Sequence, residues 1–293
     1  MISKKARNRK KVISFLMRLV TLIKPGSLSN FQIKIIRKLV SIASHRRPSV
    51  NKNVVEKIKL DQLDLYRIIP NKIFDEKKVL FFHGGGFFIG NFKIYRNYVS
   101  FLAEVLGREI IFVEYKLSPE SKYPSQLEDA KKAYSFLFGK EEKPNIILAG
   151  DSAGGNLALA LLLAIKRDKL KKPKGIFCIS PWVDPTAIMA EYPDSFCQSD
   201  VLIGPFIKRA KETGSGPLSY LYCNASDQSS PFISPLFGDF KNSPPIMIQY
   251  AENEMLSIQI EQFLKKLKKQ RVKVVSKIWK DLWHDFQLET DLI

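Results

Sequence analysis

The chain has 293 residues, 45% hydrophobic and 26% charged, with 15 Gly and 16 Pro, which suits a sizeable core and excludes disorder, collagen and a small disulfide scaffold. Its formal net charge is +18, yet 14 of the Lys and Arg lie in residues 1–55, which hold no Asp or Glu, and the rest carries 33 basic against 29 acidic residues, so no nucleic-acid partner is expected. Three cysteines (Cys178, Cys197, Cys223) and three histidines are too few for a disulfide framework, a zinc site or a His-rich metal centre, and a reducing, cytoplasmic compartment fits.

The first residues, Lys4 to Lys11 followed by Val12 to Ile23, imitate a secretory signal. Arg18 interrupts the apolar run, and no small-residue cleavage site follows. Val12, Phe15, Leu16, Leu19, Val20 and Ile23 recur at helical spacing, with Lys11, Ser14, Arg18 and Thr21 opposite, which predicts a basic amphipathic helix. Two readings follow: the apolar stripe packs on the protein as a lid, the favoured one, or residues 1–24 touch an anionic membrane surface peripherally. Pro25-Gly26-Ser27 ends this helix, and Phe31 to Ala43 begins another with Phe31, Ile35, Ile36, Leu39 and Val40 on one side.

Val54 to Leu60 and Leu63 to Ile69 alternate as the strands of an edge hairpin. From there apolar strands and helices take turns. Strands are predicted at 79–82, 110–115, 146–149, 175–179, 245–250 and 272–278, with helices at 95–106, 126–138, 154–167 and 258–269. This order predicts the α/β class with a mostly parallel, doubly wound sheet. Residues 185–235 keep neither period and are read as an insertion outside the sheet.

Gly150-Asp151-Ser152-Ala153-Gly154 follows a strand and opens a long apolar helix. A bare G-x-S-x-G is common by chance, but this context is that of a nucleophile elbow, where a serine sits on a sharp turn at a helix N-terminus. His83-Gly84-Gly85-Gly86-Phe87 also ends a strand. Its glycines leave N–H groups bare, and Gly84 and Gly85 with Ala153 are the expected oxyanion donors. The loop lacks both the phosphate-loop ending and the G-x-G-x-x-G fingerprint of dinucleotide sites. Of the histidines, His45 lies in the basic region and His83 opens the glycine loop, which leaves His284 as the general base in the chain order of such triads. Glu252 and Glu254 follow the strand ending at Tyr250, and Glu254 is favoured as the acid that orients the imidazole.

Together these residues resemble the hormone-sensitive lipase branch of the α/β-hydrolase esterases, over roughly Leu60 to Phe286. His83 to Gly86 resembles the oxyanion motif of that branch, Tyr115-Lys116-Leu117-Ser118-Pro119-Glu120 its Y-R-L-A-P-E segment, and Gly150 to Asn156 its G-D-S-A-G-G-N elbow. Ile179 to Asp184 and Ser234-Pro235-Leu236 are similar to further family segments, and Glu254 falls on the family's acid position. The resemblance implies an α/β-hydrolase core over 56–293, with a cap insertion at about 185–235 and a helical cap formed by residues 1–55. It also implies hydrolysis of short- to medium-chain acyl esters through a Ser152, His284 and Glu254 triad, with no metal or organic cofactor. Rival readings are a non-catalytic ligand receptor on the same fold and a membrane-peripheral lipid hydrolase. Phe87, Phe88 and Trp182 are expected to line an apolar substrate pocket. Two departures stand out: Lys116 replaces the usual Arg, and nine residues follow His284 where family members continue into a helix. One sheet face is therefore expected to be open, to be covered by the basic N-terminus or by a second subunit in a homodimer.

Overall fold

The computed structural model describes residues 3–20, 28–45, 53–139, 145–187, 192–213, 219–224, 227 and 230–290. The alternation of short apolar runs with amphipathic stretches yields eight strands in one sheet: β1 Val54–Leu60, β2 Leu63–Ile69, β3 Lys78–Phe82, β4 Ile110–Glu114, β5 Ile146–Asp151, β6 Gly175–Ile179, β7 Ile246–Ala251 and β8 Val274–Trp279. Their order is β1-β2-β4-β3-β5-β6-β7-β8. Only β2 runs against the others, paired antiparallel with the edge strand β1 on one side and with β4 on the other. Because β4 lies on one side of β3 and β5 on the other, the winding reverses there, and a crevice opens at the carboxyl ends of β3 and β5.

Helices α3 (Phe92–Leu106), α4 (Ser125–Gly139), α5 (Ser152–Arg167) and α9 (Ser257–Lys269) follow strands of the core. Each begins one to three residues before its predicted start, because the sequence pattern marks the apolar face rather than the cap. At α3, for example, the Asn91 side chain caps the helix by accepting from the Ile94 N–H. Helix α5 is buried from Ser152 through Ile165, which is why its sequence is apolar all round. Between β6 and β7 lie α6 (Asp194–Ser199), α7 (Gly204–Thr213) and α8 (Ser219–Tyr222).

Two helices precede the sheet, α1 (Lys4–Val20) and α2 (Asn30–His45). Residues 21–27 lie outside the described residues. Of the stripe expected to pack from α1, Val12, Phe15 and Leu16 are exposed and the side chains of Leu19, Val20 and Ile23 lie outside the described residues, whereas Ala6 is buried and Ile13 packs on the cluster of Trp283 and Phe286. The apolar arc of α1 is wider than one contact can cover. The side that docks is the one Arg9 pins to Glu289 at 3.0 Å. Helix α2 divides likewise, burying Ile33 and Ile36 and exposing Phe31, Ile35 and Leu39.

The sheet face beside α3 carries an apolar groove of about 540 Å3, lined by Phe101, Leu102, Phe177, Met247 and Val275 among others. This is the face expected to be open. Past His284 the described chain makes a single 3-10 turn, Phe286–Leu288. No helix among the described residues is long and apolar enough to cross a membrane.

Candidate active site

Ser152 is the first residue of α5, immediately after β5, and its backbone takes the left-handed φ of 50°. Such a turn lifts one side chain above the sheet while the residues around it crowd together. Gly150 and Gly154 fit that crowding: a Cβ on Gly154 would collide with the Phe82 carbonyl, and one on Gly150 with the Gly154 backbone. The elbow therefore needs glycine for close approach rather than for unusual dihedrals.

The glycine loop after β3 is held by its histidine. His83 is fully buried, stacks on Tyr115 with ring centroids 4.2 Å apart, and places Nδ1 2.7 Å from the Gly84 carbonyl. Burial lowers its pKa to about 4, so the ring is neutral at physiological pH and serves as a structural donor. Gly85 and Gly86 then take φ of 102° and 61°, values that favour glycine.

The Gly84 N–H, expected to face an oxyanion, is engaged by Asp151 Oδ1 and the Tyr95 hydroxyl, each at 3.0 Å. Asp151 follows from the elbow motif, and its buried carboxylate takes the nearest donors. The N–H groups of Gly85, Gly86 and Ala153 have no hydrogen-bond partner among the described residues. The bare set is thus shifted by one glycine from the expected one.

His284 lies on the loop after β8, buried beside Trp283. Its Nδ1 is 3.3 Å from Glu254 Oε1. Glu254 is fully buried and in turn accepts from the Ser180 hydroxyl at 2.7 Å and the Ala251 N–H at 2.9 Å. Glu252, the alternative, is exposed. Ser180, with a φ of 42°, belongs to the Ile179 to Asp184 segment, but nothing in its residue type announces this contact.

Asp285 was not anticipated. Its backbone φ is 53°, and its carboxylate Oδ2 lies 3.0 Å from His284 Nε2, the nitrogen that a serine nucleophile would use. The other oxygen, Oδ1, is buried without a partner among the described residues. Burial opposes a charge on the imidazole, but the Asp285 and Glu254 carboxylates outweigh it and hold the His284 pKa well above the usual range. Burial raises Asp285 itself to about 6, with His284 pulling the other way. Asp151 is driven far above the carboxylate range, first by burial and then by Asp285. Asp aside, few side chains other than glycine settle in the left-handed region, and that is the only sequence signal this residue offers.

These groups share one cavity of about 310 Å3. Ser152, His284, Asp285 and Gly84 to Gly86 form its polar wall, and Phe88, Trp182, Phe206 and Leu256 belong to its apolar one. Phe87 does not reach it: with a φ of 67° its ring turns back into the core and stacks on Tyr222 at 3.8 Å. Met17 from α1 and Ile36 and Val40 from α2 close the outer side. Helix α2 is bolted there by Arg37, which donates to the Phe88 and Ser118 carbonyls, each at 2.7 Å, and to both oxygens of Glu120. Lys116, in place of the usual Arg, reaches Asp129 Oδ1 at 2.7 Å, a contact for which a point charge suffices.

Residues 79–288 match the α/β hydrolase fold family. An esterase of Acinetobacter venetianus is 31% identical over 70% of this chain and 66% of its own. An acetyl-hydrolase of Streptomyces hygroscopicus is 29% identical over 72% and 68%. Among solved structures, a hormone-sensitive lipase from a metagenome library superimposes with a TM-score of 0.80 at 25% identity, covering 96% of this chain and 92% of that one.

Proposed function

The chain belongs to the α/β-hydrolase fold family, in the branch of esterases related to hormone-sensitive lipase, and on that footing we propose that it hydrolyses short- to medium-chain carboxylic esters through Ser152. The observation that supports this reading is the single cavity that Ser152, His284 and the bare N–H groups of the glycine loop share. Ser152 Oγ attacks the acyl carbonyl while His284 takes its proton at Nε2. Glu254, behind Nδ1, orients the ring and stabilises its charge. The N–H groups of Gly85, Gly86 and Ala153 receive the developing oxyanion, each such donor being worth about 3 kcal/mol in comparable sites. Collapse expels the alcohol, protonated by His284, and water then releases the acyl group by the same steps in reverse. Phe88 and Trp182 give the acyl chain an apolar wall.

Before attack, His284 Nε2 must exchange Asp285 for Ser152. That contact also favours a second reading, a ligand-binding protein with an idle serine. Hydrolysis of p-nitrophenyl esters from acetyl to decanoyl separates the two. The ester-hydrolase reading expects turnover that falls by about 10³-fold or more in Ser152→Ala and in His284→Ala, with a shorter acyl chain preferred. A folded wild-type chain without turnover, or turnover that survives in Ser152→Ala, would overturn it.

A further inference from the structure

We propose that the outward faces of α1 and α2 form a docking surface for an anionic phospholipid bilayer, which presents the cavity mouth to the lipid phase. The proposal rests on the ester-hydrolase reading only for its substrate class, acyl esters dissolved in a membrane.

A single exposed apolar side chain is ordinary on any protein. Here they form rows. On α1, Val12, Phe15 and Leu16 stand in solvent, Phe15 at 64% exposure; on α2, Phe31, Ile35 and Leu39 recur every fourth residue, Phe31 at 71%. Exposed cations accompany both rows: Lys4, Lys5, Arg7 and Lys11 on α1, Lys34 and Lys38 on α2. An apolar stripe flanked by Lys and Arg is the composition of a helix that lies in a bilayer interface, its rings in the acyl boundary and its cations among headgroups.

Charge selects the occupant. Residues 1–55 contain no Asp or Glu, so a second copy placed face to face would press like charges together with nothing to pair them. An anionic lipid surface supplies the missing sign. The inner sides of the same helices supply the route: Met17, Ile36 and Val40 line the cavity that holds Ser152, so an acyl chain leaving the bilayer passes between apolar side chains. Neither helix buries these rows, and each is fastened by other groups, α1 by buried Ala6 and by Ile13 against Trp283 and Phe286, and α2 by Arg37 to Glu120. The outward residues are therefore dispensable for the fold, which makes them usable in a test.

The experiment compares the full chain with a Phe15→Ser, Phe31→Ser, Leu39→Ser variant, both also carrying Ser152→Ala for binding. Flotation is measured with vesicles of phosphatidylglycerol and phosphatidylcholine and with phosphatidylcholine alone. Binding to the anionic vesicles is expected, with at least tenfold weaker partition for the triple variant and a further loss at high salt. With Ser152 in place, hydrolysis of p-nitrophenyl laurate held in anionic vesicles should fall at least tenfold in the triple variant, while hydrolysis of soluble p-nitrophenyl acetate stays unchanged. Equal partition of both proteins, or absence of wild-type binding, would overturn the proposal. So would a sedimentation experiment in which the three substitutions abolish a dimer and leave vesicle binding intact. Flotation that follows the prediction while neither protein hydrolyses any ester supports the docking surface and sinks the ester-hydrolase reading instead.

Discussion

At His284 two carboxylates compete for one ring, and the residue that faces Nε2 decides when the ring can act as a base. In the wild-type site Asp285 and Glu254 together keep the imidazole protonated to higher pH than usual, so activity should rise with pH through that raised value. Replacing Asp285 with Asn removes one charge and leaves Glu254 at Nδ1, Asp200 at the end of α6 and Asp151 at the end of β5. The acid limb of kcat/KM is expected to move to lower pH. An acid limb that stays in place would show that Asp285 does not act through the imidazole. That Ser152 and His284 share a cavity with Glu254 behind the imidazole was legible in the sequence, because the turn after β5 and the loop after the last strand meet at one end of a parallel sheet. Asp285 was not legible, since a left-handed turn aims its carboxylate at the ring. The same applies to Phe87 and Phe88, adjacent and alike, which a φ of 67° sends to opposite sides.

Among the elements, α2 is held by the burial of Ile33 and Ile36 and by one polar anchor, Arg37. Arg37 supplies the partners of two backbone carbonyls, and Ser118 beside one of them is fully buried. Replacing Arg37 with Leu leaves those carbonyls and Glu120 without their donor, a loss of about 2 kcal/mol. The expected readouts are a lower urea midpoint and faster proteolytic cleavage near residues 28–45, together with a raised KM for the longer esters that reach Ile36 and Val40. An unchanged KM would mean that α2 holds its place without Arg37. The strands and helices themselves were readable from apolar period, and the hairpin of β1 and β2 from its alternation. The sequence pattern could not say which side of a broad apolar arc is buried: α1 and α2 have more apolar surface than the body covers, and ion pairs on one side choose.

Taken as a whole, the molecule buries one face of its sheet more completely than the other. Ile246 and Ile248 point into the larger core at 1% and 0% exposure, while Met247 and Val275 line the open groove at 37% and 55%. Truncation to alanine should therefore cost about 2–5 kcal/mol at Ile248 and under about 1 kcal/mol at Val275, as measured by urea denaturation. Comparable losses at the two sites would mean that the groove is filled in solution. The reversal of strand order at β3 was not legible in the sequence, because strand neighbours are set by crossovers that leave no local pattern.

The left-handed backbone at Ser152 carries a consequence for the history of the chain as well as its chemistry. A non-glycine residue held there costs about 1–2 kcal/mol, and glycine would relieve that cost while giving back about 0.5–1 kcal/mol of chain entropy. Ser152→Gly is thus expected to unfold about 1 kcal/mol harder than the wild type, and a lower melting temperature would contradict it. Screened for thermal endurance alone, a library of variants would drift toward glycine at that turn, and on the proposed mechanism it is the attacking hydroxyl that keeps serine there.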